Sequence, residues 1–132
     1  LRQGKTIELH GGGEAIKSYI HIRDVSRGEL AAMENGKDGN IYHLSPDLGI
    51  AVKDMVRAIC DSMGKDFGKA VCNVSERLGQ DKAYVIDSTR AREELNWAPD
   101  VSLEVGVQGV ARWVEEYWNE IKAQPLEYIH KP

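Results

Sequence analysis

The sequence predicts a small mixed α/β domain, in which short strands are combined with three to four helices. Two periodicities in the sequence indicate this class. Over residues 51–63 apolar side chains recur at spacings of three and four, which places them on one helix face. Over residues 18–22 and 70–74 side chains instead alternate at period two, as in strands. With 132 residues, 42% of them apolar and 29% charged, the chain has the size and balance of one globular domain.

Boundary signals place each element along the chain. A strand at residues 6–10 ends at three successive glycines, the default turn residues, and a second strand follows at 18–22. Asp24 stands at the N-cap position of a helix over 25–34, which the Asn35-Gly36 pair ends. The later elements are, in order, a strand at 41–44, a helix at 51–63, strands at 70–74 and 84–86, a helix from Ser88 or Thr89 to Leu95, a helix from Ser102 that Pro125 ends, and an extended tail to Pro132.

Composition and charge exclude several classes of function. No apolar run approaches the ~20 residues that a membrane helix needs, and no signal peptide opens the sequence. The net charge of −4, with both signs interspersed, argues against nucleic-acid or membrane partners. Cys60 and Cys72 are too few for a disulfide scaffold, so we expect a cytoplasmic location. Because the sequence begins with Leu1 rather than Met, we expect it to be a piece of a longer protein.

Short catalytic motifs do not assign an activity. The glycines after His10 are interpreted as a flexible turn, because no Gly-x-Ser-x-Gly, Gly-Lys-Ser/Thr or Gly-x-Gly-x-x-Gly motif accompanies them. No metal is expected, since the histidines lack helical i, i+4 pairing and Cys-x-x-Cys partners. These histidines are His10, His21, His43 and His130.

A longer signature is more informative. Residues 77–88 read Arg-Leu-Gly-Gln-Asp-Lys-Ala-Tyr-Val-Ile-Asp-Ser, and residues 93–99 read Glu-Glu-Leu-Asn-Trp-Ala-Pro. Upstream, glycines at 11–13 precede Lys-Ser-Tyr-Ile-His-Ile-Arg-Asp at 17–24. In order and spacing these segments resemble the nucleotide-sugar dehydratases and epimerases of the extended short-chain dehydrogenase/reductase family, most of all the dTDP-glucose 4,6-dehydratases. The resemblance spans nearly the whole chain.

The resemblance implies that residues 1–132 are the C-terminal substrate-binding lobe of such an enzyme, without its Rossmann domain. That domain carries the family's glycine-rich NAD loop and Tyr-x-x-x-Lys pair, so no catalytic residue is assigned here. The implied cofactor is NAD, bound mainly by the absent lobe; NAD and NADP are not distinguished. The implied reaction oxidises the sugar at C4, eliminates water and returns the hydride. We expect the 132 residues alone to be inactive and monomeric, and the full-length enzyme to be a homodimer.

The same resemblance implies four substrate-binding residues. Arg77 matches the family's diphosphate-binding arginine, whose planar guanidinium suits two phosphate oxygens. Lys17 matches the family's first phosphate arginine but, as a lysine, offers a point charge, and Asp81 corresponds to an acidic residue near the ribose hydroxyls. His10 lies where a residue beside the base is found. Each also has a structural interpretation: a surface arginine, a strand-end lysine, a turn aspartate and a strand-ending histidine.

Three departures from the family pattern leave the base and the sugar open. Leu78 replaces a proline, Ser18 replaces an aspartate, and Ser45-Pro46 replaces a Gly-Gly pair. The alternatives are a nucleotide-sugar 4-epimerase or other epimerase of the same family, a non-catalytic module that binds a nucleotide sugar, and a protein-interaction domain with coincidental motifs.

Overall fold

Short strands and helices alternate along the computed structural model, which describes residues 1–125; the predicted extended tail, 126–132, lies outside the described residues. The strands are β1 (Ile7–His10), β2 (Ile16–Lys17), β3 (Ile50–Ala51), β4 (Val71–Val74) and β5 (Ala83–Tyr84). The helices are α1 (Ile22–Asn35), α2 (Val52–Ser62), α3 (Phe67–Ala70), α4 (Thr89–Leu95), α5 (Leu103–Glu116) and α6 (Trp118–Lys122). The mixed α/β class is confirmed, with four longer helices and two of about one turn.

Two small sheets orient the strands. β1 and β4 pair in parallel, with His10 opposite Val74. In the second sheet β2 is central, antiparallel to β3 and parallel to β5, and Lys17 lies opposite Tyr84. Two segments therefore join the parallel pairs: residues 11–15 run from β1 to β2, and residues 75–82 run from the carboxyl end of β4 into β5.

Two apolar clusters form the core. The first contains Leu9, Val56 and Cys60, which join β1 to α2. The second contains Ala91, Leu95 and Trp97, against which side chains of α1 and of residues 41–44 pack. Burial of such side chains, at about 25 cal/mol per Å² of apolar area, is the main force that holds these short elements together.

Asp24 does not cap α1, so that prediction is wrong. The helix begins at Ile22, three residues before the predicted start at 25, and the His21 ring accepts the capping hydrogen bond from the Arg23 amide. Asp24 is fully buried: its carboxylate accepts from Arg27 Nη1 at 2.8 Å and from the Val101 amide at 2.9 Å, while its carbonyl accepts from Trp97 Nε1 at 2.9 Å. It thereby ties the start of α1 to the chain after α4.

Other differences from the predicted elements have local causes. The helices expected at 25–34 and 51–63 are present with slightly shifted ends, and the helix expected from Ser88 or Thr89 to Leu95 is observed at Thr89–Leu95. The second strand covers 16–17 rather than 18–22, because its partners β3 and β5 are each only two residues long. The strand predicted at 41–44 is not formed.

The carboxy-terminal helices contain a break that the sequence pattern does not predict. The last predicted helix divides at Tyr117 into α5 and α6, and α3 and β3 were not predicted at all. Among the described helices, none is long and apolar enough to cross a bilayer.

Candidate functional site

Three of the four predicted binding residues lie at or just beyond the carboxyl ends of strands, and the fourth, Asp81, lies just before β5. His10 is the last residue of β1, and Lys17 is the last residue of β2. Arg77 and Asp81 lie in the 75–82 segment that connects β4 to β5. The fold thus brings all four to one strip of the molecule, which we call the strand-end strip: residues 10–17 and 75–84.

A tight glycine turn forms one end of this strip. Residues 11–13 make a turn of 3-10 helix in which all three glycines have positive φ, at 56°, 69° and 71°. Gly11 lies directly against the Glu76 side chain, and a Cβ on Gly13 would approach the Lys53 amide nitrogen to 2.9 Å. The predicted turn is therefore confirmed, and its glycines allow the backbone to approach both α2 and the 75–82 segment.

A hydrogen bond from the His10 ring links β1 to the 75–82 segment. Its Nδ1 lies 3.0 Å from the Ser75 carbonyl oxygen, which can only accept, so Nδ1 carries the proton and donates. Its Nε2 lies 4.0 Å from a Glu8 carboxylate oxygen, and a quarter of the side chain (25%) is exposed. The ring has a structural role and still presents an accessible edge.

Lys17 and Asp81 are in contact, although not through the aspartate side chain. Lys17 Nζ donates to the Asp81 carbonyl oxygen at 3.4 Å and lies 5.7 Å from the centroid of the Tyr84 ring. Within residues 1–125, Lys17 forms no ion pair, and the Asp81 carboxylate accepts no hydrogen bond. Both charged groups are therefore available to a ligand.

Arg77 begins a tight turn. The Gln80 amide donates to the Arg77 carbonyl at 3.3 Å, and Gly79 has φ 78°, which suits the third position of a type II turn. Leu78 occupies the second position, where proline is favoured, and its side chain is fully exposed. Replacement of the family's proline thus leaves the turn intact. The exposed Arg77 guanidinium makes no hydrogen bond or ion pair within the described chain.

The charges on the strip are balanced overall. Lys17, Arg77 and Lys82 supply three positive charges, while Glu14, Glu76 and Asp81 supply three negative ones. Because the net charge of the strip is close to zero, selectivity for an anion has to come from the direction and number of hydrogen-bond donors. A broad positive field does not supply it.

Tyr84 is a candidate that the signature alone does not single out. It is 56% exposed and pairs in register with Lys17 on the neighbouring strand. An exposed aromatic ring beside a cation can stack on a planar base. The sequence signal is its position three residues after Asp81, but its approach to Lys17 follows only from the pairing of β2 with β5.

A separate apolar cavity of about 410 Å³ contains none of the four predicted residues. It lies between α2, α5 and residues 19–22, and burial there raises the pKa of Tyr19 above its ordinary value. Its lining is almost entirely apolar, which makes it a poor site for a charged ligand.

The described residues do not fit a dinucleotide cofactor. A dinucleotide turn joins a strand to a helix N-terminus, where backbone amides meet the pyrophosphate. Here the glycine turn joins β1 to another strand, β2. None of residues 1–125 is therefore assigned to NAD.

Comparison with known proteins gives consistent matches. The family model described as GDP-mannose 4,6 dehydratase matches residues 1–110. A dTDP-glucose 4,6-dehydratase from Streptomyces griseus is 31% identical over 117 residues, which are 89% of this chain and 35% of that protein. The solved dTDP-glucose 4,6-dehydratase from Streptomyces venezuelae, with NAD bound, superposes with a TM-score of 0.83 at 29% identity, covering 90% of this chain and 37% of that one.

A UDP-glucose 4-epimerase from Thermotoga maritima, solved with UDP-glucose, gives a TM-score of 0.81 at 28% identity over 88% of this chain and 37% of its own. The chain thus spans about a third of the length of these relatives.

Proposed function

The chain belongs to the GDP-mannose 4,6 dehydratase family, and on that premise we propose that it is the nucleotide-sugar-binding lobe of an NAD-dependent 4,6-dehydratase that acts on dTDP-glucose. The observation that carries this proposal is the pair of cations on the strand-end strip. Lys17 and Arg77 lie on neighbouring parts of the strip, and neither is neutralised by a carboxylate of the described chain.

The chemistry of each candidate side chain on the strip suits one part of a nucleotide sugar. The Arg77 guanidinium donates in a planar fork to two oxygens of a diphosphate, and the Lys17 ammonium adds a point charge. The Asp81 carboxylate accepts from ribose hydroxyls. The partly exposed aromatic rings of His10 and Tyr84 offer contact surfaces for the base.

This lobe contributes orientation and charge neutralisation rather than bond breaking. NAD, held outside this chain, would accept the hydride from the sugar and later return it. Fixing the diphosphate places the sugar at one distance and angle from the reacting groups, which is worth several orders of magnitude in rate. The isolated chain, which contributes no hydride or proton chemistry, remains predicted to be inactive.

A 4-epimerase is the second candidate, because the Thermotoga maritima enzyme superposes nearly as well as the dehydratase. The binding lobe serves either reaction, so the product formed by the longer protein separates them: a 4-keto-6-deoxy sugar or a C4 epimer. For that protein we also propose a homodimer and a cytoplasmic location. The free thiols of Cys60 and Cys72 support a reducing compartment.

Titration of the 132-residue chain with dTDP, followed by calorimetry or amide chemical shifts, tests the proposal. Arg77→Ala and Lys17→Ala should each weaken binding about 5- to 30-fold, the loss expected for a charge-assisted contact in a partly solvated site. Lys65→Ala removes the same charge from an exposed position between α2 and α3, and should leave binding unchanged.

Unaltered affinity in both strip variants would contradict the site, as would an equal loss in the Lys65→Ala control. UDP, CDP and GDP in the same titration give the base preference. Arg77→Lys, which keeps the charge but not the fork, should recover only part of the affinity.

A further inference from the structure

An acidic side chain lies at the point of the strip where the proposed ligand is an anion. Glu76 directly precedes Arg77, the residue that the proposed function assigns to the diphosphate. Within residues 1–125, Glu76 forms no ion pair. A carboxylate close to a diphosphate repels it. Glu76 therefore weakens an anion site unless it makes another contribution to that site.

Both oxygens of the Glu76 carboxylate contact the main chain. Oε1 accepts a hydrogen bond from the Arg77 amide at 3.1 Å. Oε2 fills the space beside Gly11 that a Cβ would occupy, so the absence of a side chain at residue 11 makes room for the carboxylate. The carboxylate thus lies between the glycine turn and the residue that is proposed to bind the diphosphate.

A second contact, one residue earlier on each side, runs parallel to this one. His10 Nδ1 donates to the Ser75 carbonyl oxygen at 3.0 Å, and the next residue on each side, Gly11 and Glu76, meet through the carboxylate. Two successive residues after β4 are therefore attached to the last residue of β1 and the first residue of the glycine turn.

The main chain of Arg77 is hydrogen-bonded on both sides. Its amide donates to Glu76, and its carbonyl accepts from the Gln80 amide at 3.3 Å. Its exposed guanidinium makes no hydrogen bond or ion pair within the described chain. A long side chain binds a ligand more tightly when its main chain is already held in place, because less freedom is lost on binding.

We propose that Glu76 is a positioning residue: its carboxylate, held between Gly11 and the Arg77 amide, sets the direction in which Arg77 presents its guanidinium to a diphosphate. The proposal rests on the proposed function, because it concerns the same site. The site uses the acceptor oxygen of Glu76, whereas the negative charge of that side chain opposes binding of the anion.

Calorimetric titration of two Glu76 variants with dTDP separates the acceptor from the charge. Glu76→Ala removes both and should weaken dTDP binding by about 3- to 10-fold, because the hydrogen bond to the Arg77 amide is lost. Glu76→Gln keeps an oxygen for that amide and removes the repulsion, so its affinity should equal that of the parent or exceed it by up to about threefold.

A double-mutant cycle tests whether Glu76 acts through Arg77. In an Arg77→Ala background, Glu76→Ala should change the dTDP affinity by less than about twofold, because no guanidinium is left to orient. Since Glu76 is exposed, the urea midpoint of Glu76→Ala should stay within about 0.2 M of the parent. That result separates a change in orientation at the site from a loss of the fold.

Three results would overturn the positioning role: an affinity of Glu76→Ala that equals or exceeds that of the parent, a loss in Glu76→Gln as large as in Glu76→Ala, or an equal effect of Glu76→Ala with and without Arg77. The Arg77→Ala variant alone tests the proposed function. Unchanged dTDP binding in that variant would refute the diphosphate site itself, whereas weakened binding there together with no effect of Glu76→Ala would refute only the positioning role.

Discussion

Replacing the buried Asp24 by asparagine is expected to destabilise the fold by about 2–4 kcal/mol. The carboxylate is fully buried and accepts two hydrogen bonds, from Arg27 at 2.8 Å and from the Val101 amide at 2.9 Å. A hydrogen bond to a charged group contributes about 1.5–3 kcal/mol. The Arg27 side chain is 44% exposed and can regain water, so its contribution lies at the low end. In Asp24→Asn the side-chain N–H₂ group, which is a donor, would also face either the Arg27 guanidinium or the Val101 amide, and both of these are donors too.

Urea denaturation followed by far-ultraviolet circular dichroism measures this loss, since the whole domain has only about 5–15 kcal/mol of stability. Asp100→Asn is the control: its carboxylate lies 3.6 Å from Arg27 but is 84% exposed, so the change should stay below about 0.5 kcal/mol. A value for Asp24→Asn as small as that of the control would refute the claim that this side chain ties α1 to the chain after α4.

Three further predictions concern the glycine turn, a surface carboxylate and the thiols. Gly13→Ala should cost about 2–4 kcal/mol in urea unfolding, because φ is positive and the new Cβ meets α2, whereas Gly12→Ala, with open space, should cost only about 1 kcal/mol; equal losses would contradict the close approach. A hydrogen bond from a tyrosine hydroxyl lowers the pKa of Glu94 below its ordinary 4.5, so stability should decline as the pH falls from that value through the lowered pKa, and Glu94→Gln should remove this part of the dependence. Cys60 is fully buried and burial raises the pKa of its thiol, so a disulfide reagent should react quickly only with the exposed Cys72 until the chain unfolds; a fast phase that persists in Cys72→Ser would contradict this.

Regular periodicity made the longer helices predictable. The apolar residues of α2 recur at spacings of three and four along the sequence. In the structure, the α2 residues that pack into the first core cluster lie on one side of the helix. β3 and α3 are too short for any period to show. The N-cap expectation for Asp24 failed because its carboxylate bonds to Val101, 77 residues later, and no local pattern encodes such a contact.

The candidate binding residues rest on the resemblance, and their contacts were not predictable from the sequence. Lys17 meets Asp81 through the main-chain carbonyl, since the register of β2 and β5 sets which atoms of the two residues approach. The strand predicted at 41–44 is wrong for the described structure, although its side chains alternate between half-buried and exposed. A strand needs a neighbour, however, and no neighbour is supplied by residues 1–125.

An amide footprint of dTDP on the isotopically labelled 132-residue chain tests the central claim most directly. Titration should shift the amides of residues 10–17 and 75–84, with the Arg77 and Lys17 amides among those most affected. Shifts confined to the apolar cavity between α2 and α5, or no shifts at about 10 mM dTDP, would contradict the assignment of the strand-end strip as the diphosphate site.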